Sequence, residues 1–496
     1  MERCGDPLRV GGDREGTAMT QLRLRTENLH EVSLGQRRVL FHVPTTSLFD
    51  LDDLSCQVLD FLRHERPEAD STAVVEHFHG RHAAADVLEA LGELEALDLI
   101  AAPGLAKPRA ARPPIPKDSL SALVLNVSTG CNLACSYCYK EDLTSPAAAR
   151  RLSPAKAAAA VDLLLRESGR QQRVSITFFG GEPLTNLSLI RQVVAYAERR
   201  GAETAKTFDF SMTTNGTLLD DTVIDYLDSH RFGLSISMDG PREVHDRNRR
   251  TIGGRGTYAV VAPKVRRLLE RYRSRPVGAR VTVTAGAVDV LAIHRHLKDE
   301  LGFAEVGLAP VTAGLPSGLC LGDDEIKTVF AGMKTLAWRY RDAALSGRDI
   351  GFSNISQMMT TLHEGNTKLV PCGAGLSMLA VDAEGELKLC HRFTGNPLDG
   401  FGDVATGIDR ARVEAFIDRA VARADGSCAS CRARHVCAGG CYHEAYARHG
   451  DPFHPTDHYC ELIRDWIDTG IAIYADIMAN NPGFLGQPRS SRRNIA

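Results

Sequence analysis

The sequence predicts an α/β protein: a barrel of parallel strands, or an open part of one, with a small helical module before it and a cysteine-rich region after it. Three observations carry this. Strand-type and helix-type hydrophobic patterns alternate about six times between residues 122 and 310, as parallel strands joined by helical crossovers require. A stretch with five prolines, APGLAKPRAARPPIPKD (102–118), separates that region from what precedes it. Thirteen cysteines fall into three isolated residues, a tight trio and a loose set of seven, which points to metal or catalysis in a compartment that keeps thiols reduced.

The 496 residues suffice for two to four domains. At 43% hydrophobic and 24% charged residues real cores can form, and a net charge of −3 is no nucleic-acid footprint. No apolar run approaches the roughly 18–20 residues of a membrane span. The start, MERCGDPLRVGGDREG, carries charges where an export signal needs an apolar stretch, so the expected location is cytoplasmic, with neither nucleic acid nor membrane as partner.

Residues 1–20 read as a flexible tail. RVLFHV (38–43) reads as a strand, and three helical patterns follow: Leu54, Val58, Leu59 and Leu62; Val74, Val75 and Phe78 behind a cap at Ser71; and Val87, Leu88, Leu91, Leu94 and Leu97. A strand with three short helices predicts a winged-helix domain over 21–105, but without a basic recognition helix for DNA. A linker is expected at 106–118, the barrel at 119–349, a cysteine-rich domain at 350–475 and a polar tail at 476–496. Cys56, in a helical pattern, reads as a small packed residue.

GCNLACSYCYK sets Cys131, Cys135 and Cys138 directly after the first barrel strand, at the end where such folds keep their sites. Zinc normally takes four protein ligands, so three thiolates in one short loop suit a [4Fe–4S] cluster with one open iron better. This CxxxCxxC loop resembles that of the radical S-adenosylmethionine (SAM) superfamily, and the resemblance implies a partial (β/α)₆ barrel whose open iron chelates SAM. It also implies that Tyr137 lies beside the adenine. Gly180, Gly181, Glu182 and Pro183 resemble the GGEP motif, whose backbone approaches the SAM amino group. Ser211, Thr213 and Asn215, ending the third strand, correspond to ribose and carboxylate contacts.

The seven later cysteines resemble the SPASM extension, which binds two auxiliary [4Fe–4S] clusters and would bring the total to three. The resemblance implies that Cys428, Cys431, Cys437 and Cys460 hold the outer cluster and that Cys372, Cys390 and Cys441 hold the inner one. The fourth inner ligand stays open between a free iron, a non-Cys side chain and Cys320. Asp239, ending the fourth strand, is either a general base for a substrate thiol or a cap for the turn before Pro241. HDRNRR (245–250) reads as a solvated charge run or a substrate contact. Ahead of such an enzyme, the winged helix resembles the peptide-recognition element of ribosomal-peptide maturases, with RVLFHV as template for a leader strand.

The phrases HVPTTSLFDLD, LVPCGAG, LCHRFTGN and CAGGCYHEAYARHGDPFHPTDHYC most resemble the quinohemoprotein amine dehydrogenase maturation proteins. That resemblance implies intrapeptidyl thioether bonds from Cys sulfur to methylene carbons of Asp or Glu in the small γ subunit, with electrons from a flavodoxin or ferredoxin. The alternatives are another thioether-forming maturase, a sulfatase maturase, or an iron–sulfur sensor that binds DNA.

Overall fold

The computed structural model describes residues 21–35, 37–102, 118–139, 149–311, 318–395, 398, 400–423, 426, 428–486 and 493–494. The expected first tail, the linker up to residue 117 and, of the final tail, residues 487–492 and 495–496 lie outside the described residues. The chain divides into two compact units at residue 111.

The first unit holds two small sheets and three helices. Strands β1 (Gln21–Leu24), β5 (Glu68–Asp70) and β6 (Ile100–Ala101) pair in the order β5-β1-β6. Strands β2 (Leu29–Leu34), β3 (Arg37–His42) and β4 (Ser47–Asp50) pair antiparallel in the order β2-β3-β4. Helices α1 (Asp53–Asp60), α2 (Ser71–Phe78) and α3 (Ala84–Ala96) bury most of the expected apolar stripes, with Val58, Leu59, Val74, Phe78, Val87 and Leu91 in one core, but Leu88, expected in the stripe of α3, is 51% exposed. The cap of α2 is Asp70, not Ser71: its carboxylate accepts from Ala73 N at 2.8 Å. Cys56 is only half-buried.

The template strand needs correction. β3 is paired along both edges, Val32 opposite Val39 on one side and Leu40 opposite Phe49 on the other. Its backbone groups are spent, so RVLFHV cannot accept a further strand. Among the described residues, β2 and β4 are the edge strands of this sheet.

The second unit is built on eight strands in the order β12-β11-β10-β9-β8-β7-β14-β15. Six follow one another in parallel, as the alternation predicts: β7 (Ala122–Ser128), β8 (Arg173–Gly180), β9 (Thr207–Thr214), β10 (Gly233–Ser237), β11 (Val277–Val283) and β12 (Glu305–Pro310). The crossovers include α4 (Pro154–Glu167), α5 (Leu187–Thr204), α6 (Asp221–Ser229), α7 (Arg242–Asn248), α8 (Tyr258–Arg271) and α9 (Val290–Arg295). Along β8 every second residue, Val174, Ile176 and Phe178, is buried against helices, so Ser175, Thr177 and Phe179 line the lumen.

After α10 (Asp323–Leu345), the short β13 (Arg348–Asp349) and α11 (Ser353–His363), the chain returns to the same sheet. β14 (Met378–Val381) pairs in parallel with β7, Leu379 beside Leu123, and β15 (Leu387–Lys388) adds antiparallel to it. The boundary expected at 349/350 therefore falls inside one continuous unit. Helices α12 (Arg410–Ala422), α13 (Arg434–Cys437), α14 (Tyr442–His449) and α15 (Cys460–Asn480) complete the cysteine-rich part. The tail expected from 476 starts later, because α15 runs to Asn480 and buries Ile477. No described helix is long and apolar enough to cross a membrane.

Candidate active site

The loop after β7 brings Cys131, Cys135 and Cys138 to the carboxyl end of the barrel. Two neighbouring segments hold it. Asn215, just past β9, donates from Nδ2 to Asn132 Oδ1 at 2.9 Å and to Cys131 Sγ at 3.8 Å. The segment following α7 takes the other side: Ala134 N donates to Arg250 O at 2.8 Å, Ser136 N to Asn248 O at 3.1 Å, and Ser136 Oγ to Asn248 Oδ1 at 2.7 Å.

Burial pushes the Cys131 thiol up to about 12 and the Cys135 thiol up to about 11, with Cys138 adding to both. Thiols so placed lose their protons when a metal takes them as ligands. Leu133 N also donates to Cys131 Sγ at 3.4 Å. A thiol trio on one loop, with N–H donors to sulfur and the Arg249 charge acting on Cys135, fits an iron–sulfur cluster that keeps one iron free of protein.

Glu182 fastens the ends of β8 and β9 together. Fully buried, its carboxylate accepts from Thr214 Oγ1 at 2.7 Å, Asn215 N at 2.8 Å and Leu184 N at 3.1 Å. Burial raises its pKa, against the lowering by these donors. Gly180 and Gly181 have a reason beyond ligand approach: a Cβ on either would lie 2.2 Å from the carbonyl oxygen of Ser128 or Gly130. Pro183 opens the short turn that follows. Ser211 Oγ lies 2.8 Å from Thr177 Oγ1, and Thr213 is half-buried on the same lumen face of β9.

Asp239 is almost wholly buried at the rim after β10. Its Oδ2 accepts from Tyr137 OH at 2.6 Å and lies 3.1 Å from Arg249 Nε, while Oδ1 accepts from Thr282 N at 3.1 Å. It does not cap the following turn: α7 starts after Pro241 with no side-chain cap. The HDRNRR run is likewise not a solvated stripe. His245, Asn248 and Arg249, spaced i, i+3, i+4 along this stretch, are buried, and the Arg249 guanidinium lies 5.4 Å from the Tyr137 ring centre. That spacing was the readable signal for Arg249, which the charge-run reading overlooked.

The later cysteines separate into two groups. Cys428, Cys431, Cys437 and Cys460 line one pocket together with Arg434, Thr456 and Arg464. Cys372, Cys390 and Cys441 act electrostatically on one another, Cys390 being pushed up to about 11, chiefly by burial. Arg423 lies between the groups, within reach of Cys428, Cys437 and Cys441. Its guanidinium donates to Ala438 O at 2.8 Å, Gly440 O at 2.6 Å and Pro452 O at 3.0 Å. The Cys-Ala-Gly-Gly-Cys turn is shaped by this packing, since a Cβ on Gly439 would sit 2.7 Å from Arg423 Nε and one on Gly440 1.8 Å from Thr456 Oγ1. Nothing in the sequence singled out Arg423.

Tyr139 connects the two ends of the site. The Arg392 guanidinium lies 5.1 Å from its ring centre and the His443 ring 5.5 Å away, and both Cys138 and Cys390 act on its hydroxyl.

Residues 125–286 match the radical SAM superfamily, and the cysteine loop lies within them. The barrel is a radical SAM domain. Enzymes of this superfamily use SAM and a [4Fe–4S] cluster. The chain is 29% identical over 183 residues to the cysteine-type anaerobic sulfatase-maturating enzyme of Clostridium perfringens, covering 36% of this chain and 49% of that protein. It is 25% identical over 359 residues to the serine-type anaerobic sulfatase-maturating enzyme of Klebsiella aerogenes, covering 68% of this chain and 82% of that one. The clostridial match thus spans about half of its relative. A solved structure, native anSMEcpe with bound AdoMet, superposes with a TM-score of 0.61 at 20% identity, over 73% of this chain and 100% of that one, which shows that the fold around the radical SAM domain is shared.

Proposed function

We propose that this radical SAM enzyme forms intrapeptidyl thioether bonds between Cys sulfur and a methylene carbon of Asp or Glu in a small protein, the γ subunit of quinohemoprotein amine dehydrogenase. One observation carries the reading: Tyr139 lies within reach of both Cys138 and Cys390, so the SAM-binding trio and the three-cysteine group face one site. Cys131, Cys135 and Cys138 would hold the SAM-binding cluster, Cys372, Cys390 and Cys441 the inner auxiliary cluster, and Cys428, Cys431, Cys437 and Cys460 the outer one. When bound, SAM and the clusters supply hydrogen-atom abstraction and one-electron acceptance.

The chain's own residues do the rest. Glu182 and Asn215 fix the strand ends that shape the SAM side, with Gly180, Gly181 and Pro183 in the turn and Ser211 and Thr213 on the lumen face. Tyr137 stands against Arg249, its hydroxyl spent on Asp239. Asp239, with Arg249 balancing its charge, takes the proton of the substrate thiol as the C–S bond replaces one C–H and one S–H bond. The small-protein reading places the enzyme in the cytoplasm, reduced by a flavodoxin or ferredoxin.

The test is mass spectrometry of the γ subunit, with its leader, after anaerobic incubation with holoenzyme, SAM and dithionite. Each bond formed should remove two hydrogens and protect one cysteine from alkylation. A second reading follows from the names of the relatives, sulfatase maturation, in which a Cys or Ser side chain becomes an aldehyde. Sulfatase peptide converted to aldehyde, with the γ subunit unchanged, would establish it.

The leader would add to an open edge of the β2-β3-β4 sheet. On adding leader, amide hydrogen exchange should slow over 29–34 or 47–50, with no extra protection on 37–42, whose amides are already paired. Protection confined to 37–42, or none in the first unit, would reject strand addition.

A further inference from the structure

In β11 the residues packed against helices are Val277, Ala279, Val281 and Val283, which puts Gly278, Arg280 and Thr282 on the lumen face. Register sets Arg280 between Ser237 of β10 and Gly307 of β12. The guanidinium runs beside Gly307, where a Cβ would meet Arg280 Nη1 in ordinary contact at 3.6 Å. Arg280 keeps its access to solvent through the lumen. Among the described residues no acid is ion-paired with it. The groups that act on its charge are Arg392, of the same sign, and the Tyr139 hydroxyl.

Arg392 is two residues past Cys390 and Tyr139 one past Cys138, so this positive pocket stands where the two cysteine groups face each other. A guanidinium open to the lumen, with a like charge beside it, is short of an anion. The planar fork suits a carboxylate, which it can hold through two parallel hydrogen bonds.

Building on the thioether reading, we propose that Arg280, with Arg392 beside it, forms the subsite for the side-chain carboxylate of the substrate Asp or Glu that becomes cross-linked. Anchoring by the carboxylate presents the same carbon, the one bonded to it, whichever acid is bound. A difference of one methylene between Asp and Glu then falls on the backbone side of the anchor.

The test is binding without turnover. Fluorescein-labelled γ-subunit peptides carrying leader, Cys and either the native Asp or an Asn in its place are titrated by anisotropy into SAM-loaded holoenzyme without reductant. Wild type should prefer Asp by about thirtyfold or more, as for a charge pair losing one partner. That comparison leaves the protein untouched. Arg280→Lys should shrink the preference and Arg280→Gln should abolish it. Equal weakening of both peptides, or an undiminished preference in Arg280→Gln, would overturn the subsite. So would a loss of SAM affinity with the preference intact, since SAM's own carboxylate would then be the ligand. Failure of the thioether reading shows separately, as wild-type enzyme leaving the γ subunit unmodified.

Discussion

Replacing Cys131, Cys135 and Cys138 together by alanine is expected to end SAM cleavage and lower the iron content from about twelve to about eight atoms per chain, as loss of one of three [4Fe–4S] clusters requires. The trio sits on a loop held by Asn215 and the Asn248–Arg250 segment, none of which carries the seven later cysteines, so the two auxiliary groups should load normally. Iron and sulfide assays on anaerobically purified protein, with chromatography for 5′-deoxyadenosine, measure both consequences. Zinc in the wild-type chain, or no more than four irons, would refute the assignment of all three cysteine groups.

The second large effect is expected at Asp239. Asp239→Ala leaves Arg249 buried without its counter-charge, a loss of about 3–5 kcal/mol for a buried pair, and frees the Tyr137 hydroxyl. Asp239→Asn also removes the counter-charge but keeps the side chain's shape: its one amide oxygen can accept from Thr282 N or from Tyr137 OH, and it can no longer take a proton. With a general base removed, cross-linking should fall at least about a hundredfold while 5′-deoxyadenosine still forms. Cross-linking by Asp239→Asn at the wild-type rate would leave Asp239 as a positioning residue for Tyr137 and Arg249.

The barrel was legible because its signal is local. Six strand patterns separated by helical stripes leave few topologies, and the cysteine loop after β7 falls where parallel barrels gather their chemistry. What could not be read depended on partners far along the chain. β14 joins β7 across some 250 residues, so periodicity alone set a domain boundary where the fold has none. RVLFHV reads correctly as a strand, yet its place in the middle of its sheet is decided by β2 and β4, which are short and weakly patterned. The charged run at 245–250 hid a buried face because arginine counts as polar wherever it sits, while burial of Arg249 follows from Asp239 on another element. Arg423 and Arg280 carried no motif. One acts through backbone carbonyls near Gly439, the other through strand register.

The claim that the reacting carbon belongs to an acidic side chain is tested most directly by isotope transfer. γ subunit made with Asp and Glu deuterated at their side-chain methylenes is incubated with holoenzyme, SAM and reductant, and the 5′-deoxyadenosine is weighed by mass spectrometry. Deuterium is expected in that product in proportion to the thioether bonds formed. Unlabelled 5′-deoxyadenosine from this substrate, with deuterium transferred instead from protein deuterated at the Cys or Ser β-carbon, would contradict it and point to aldehyde formation.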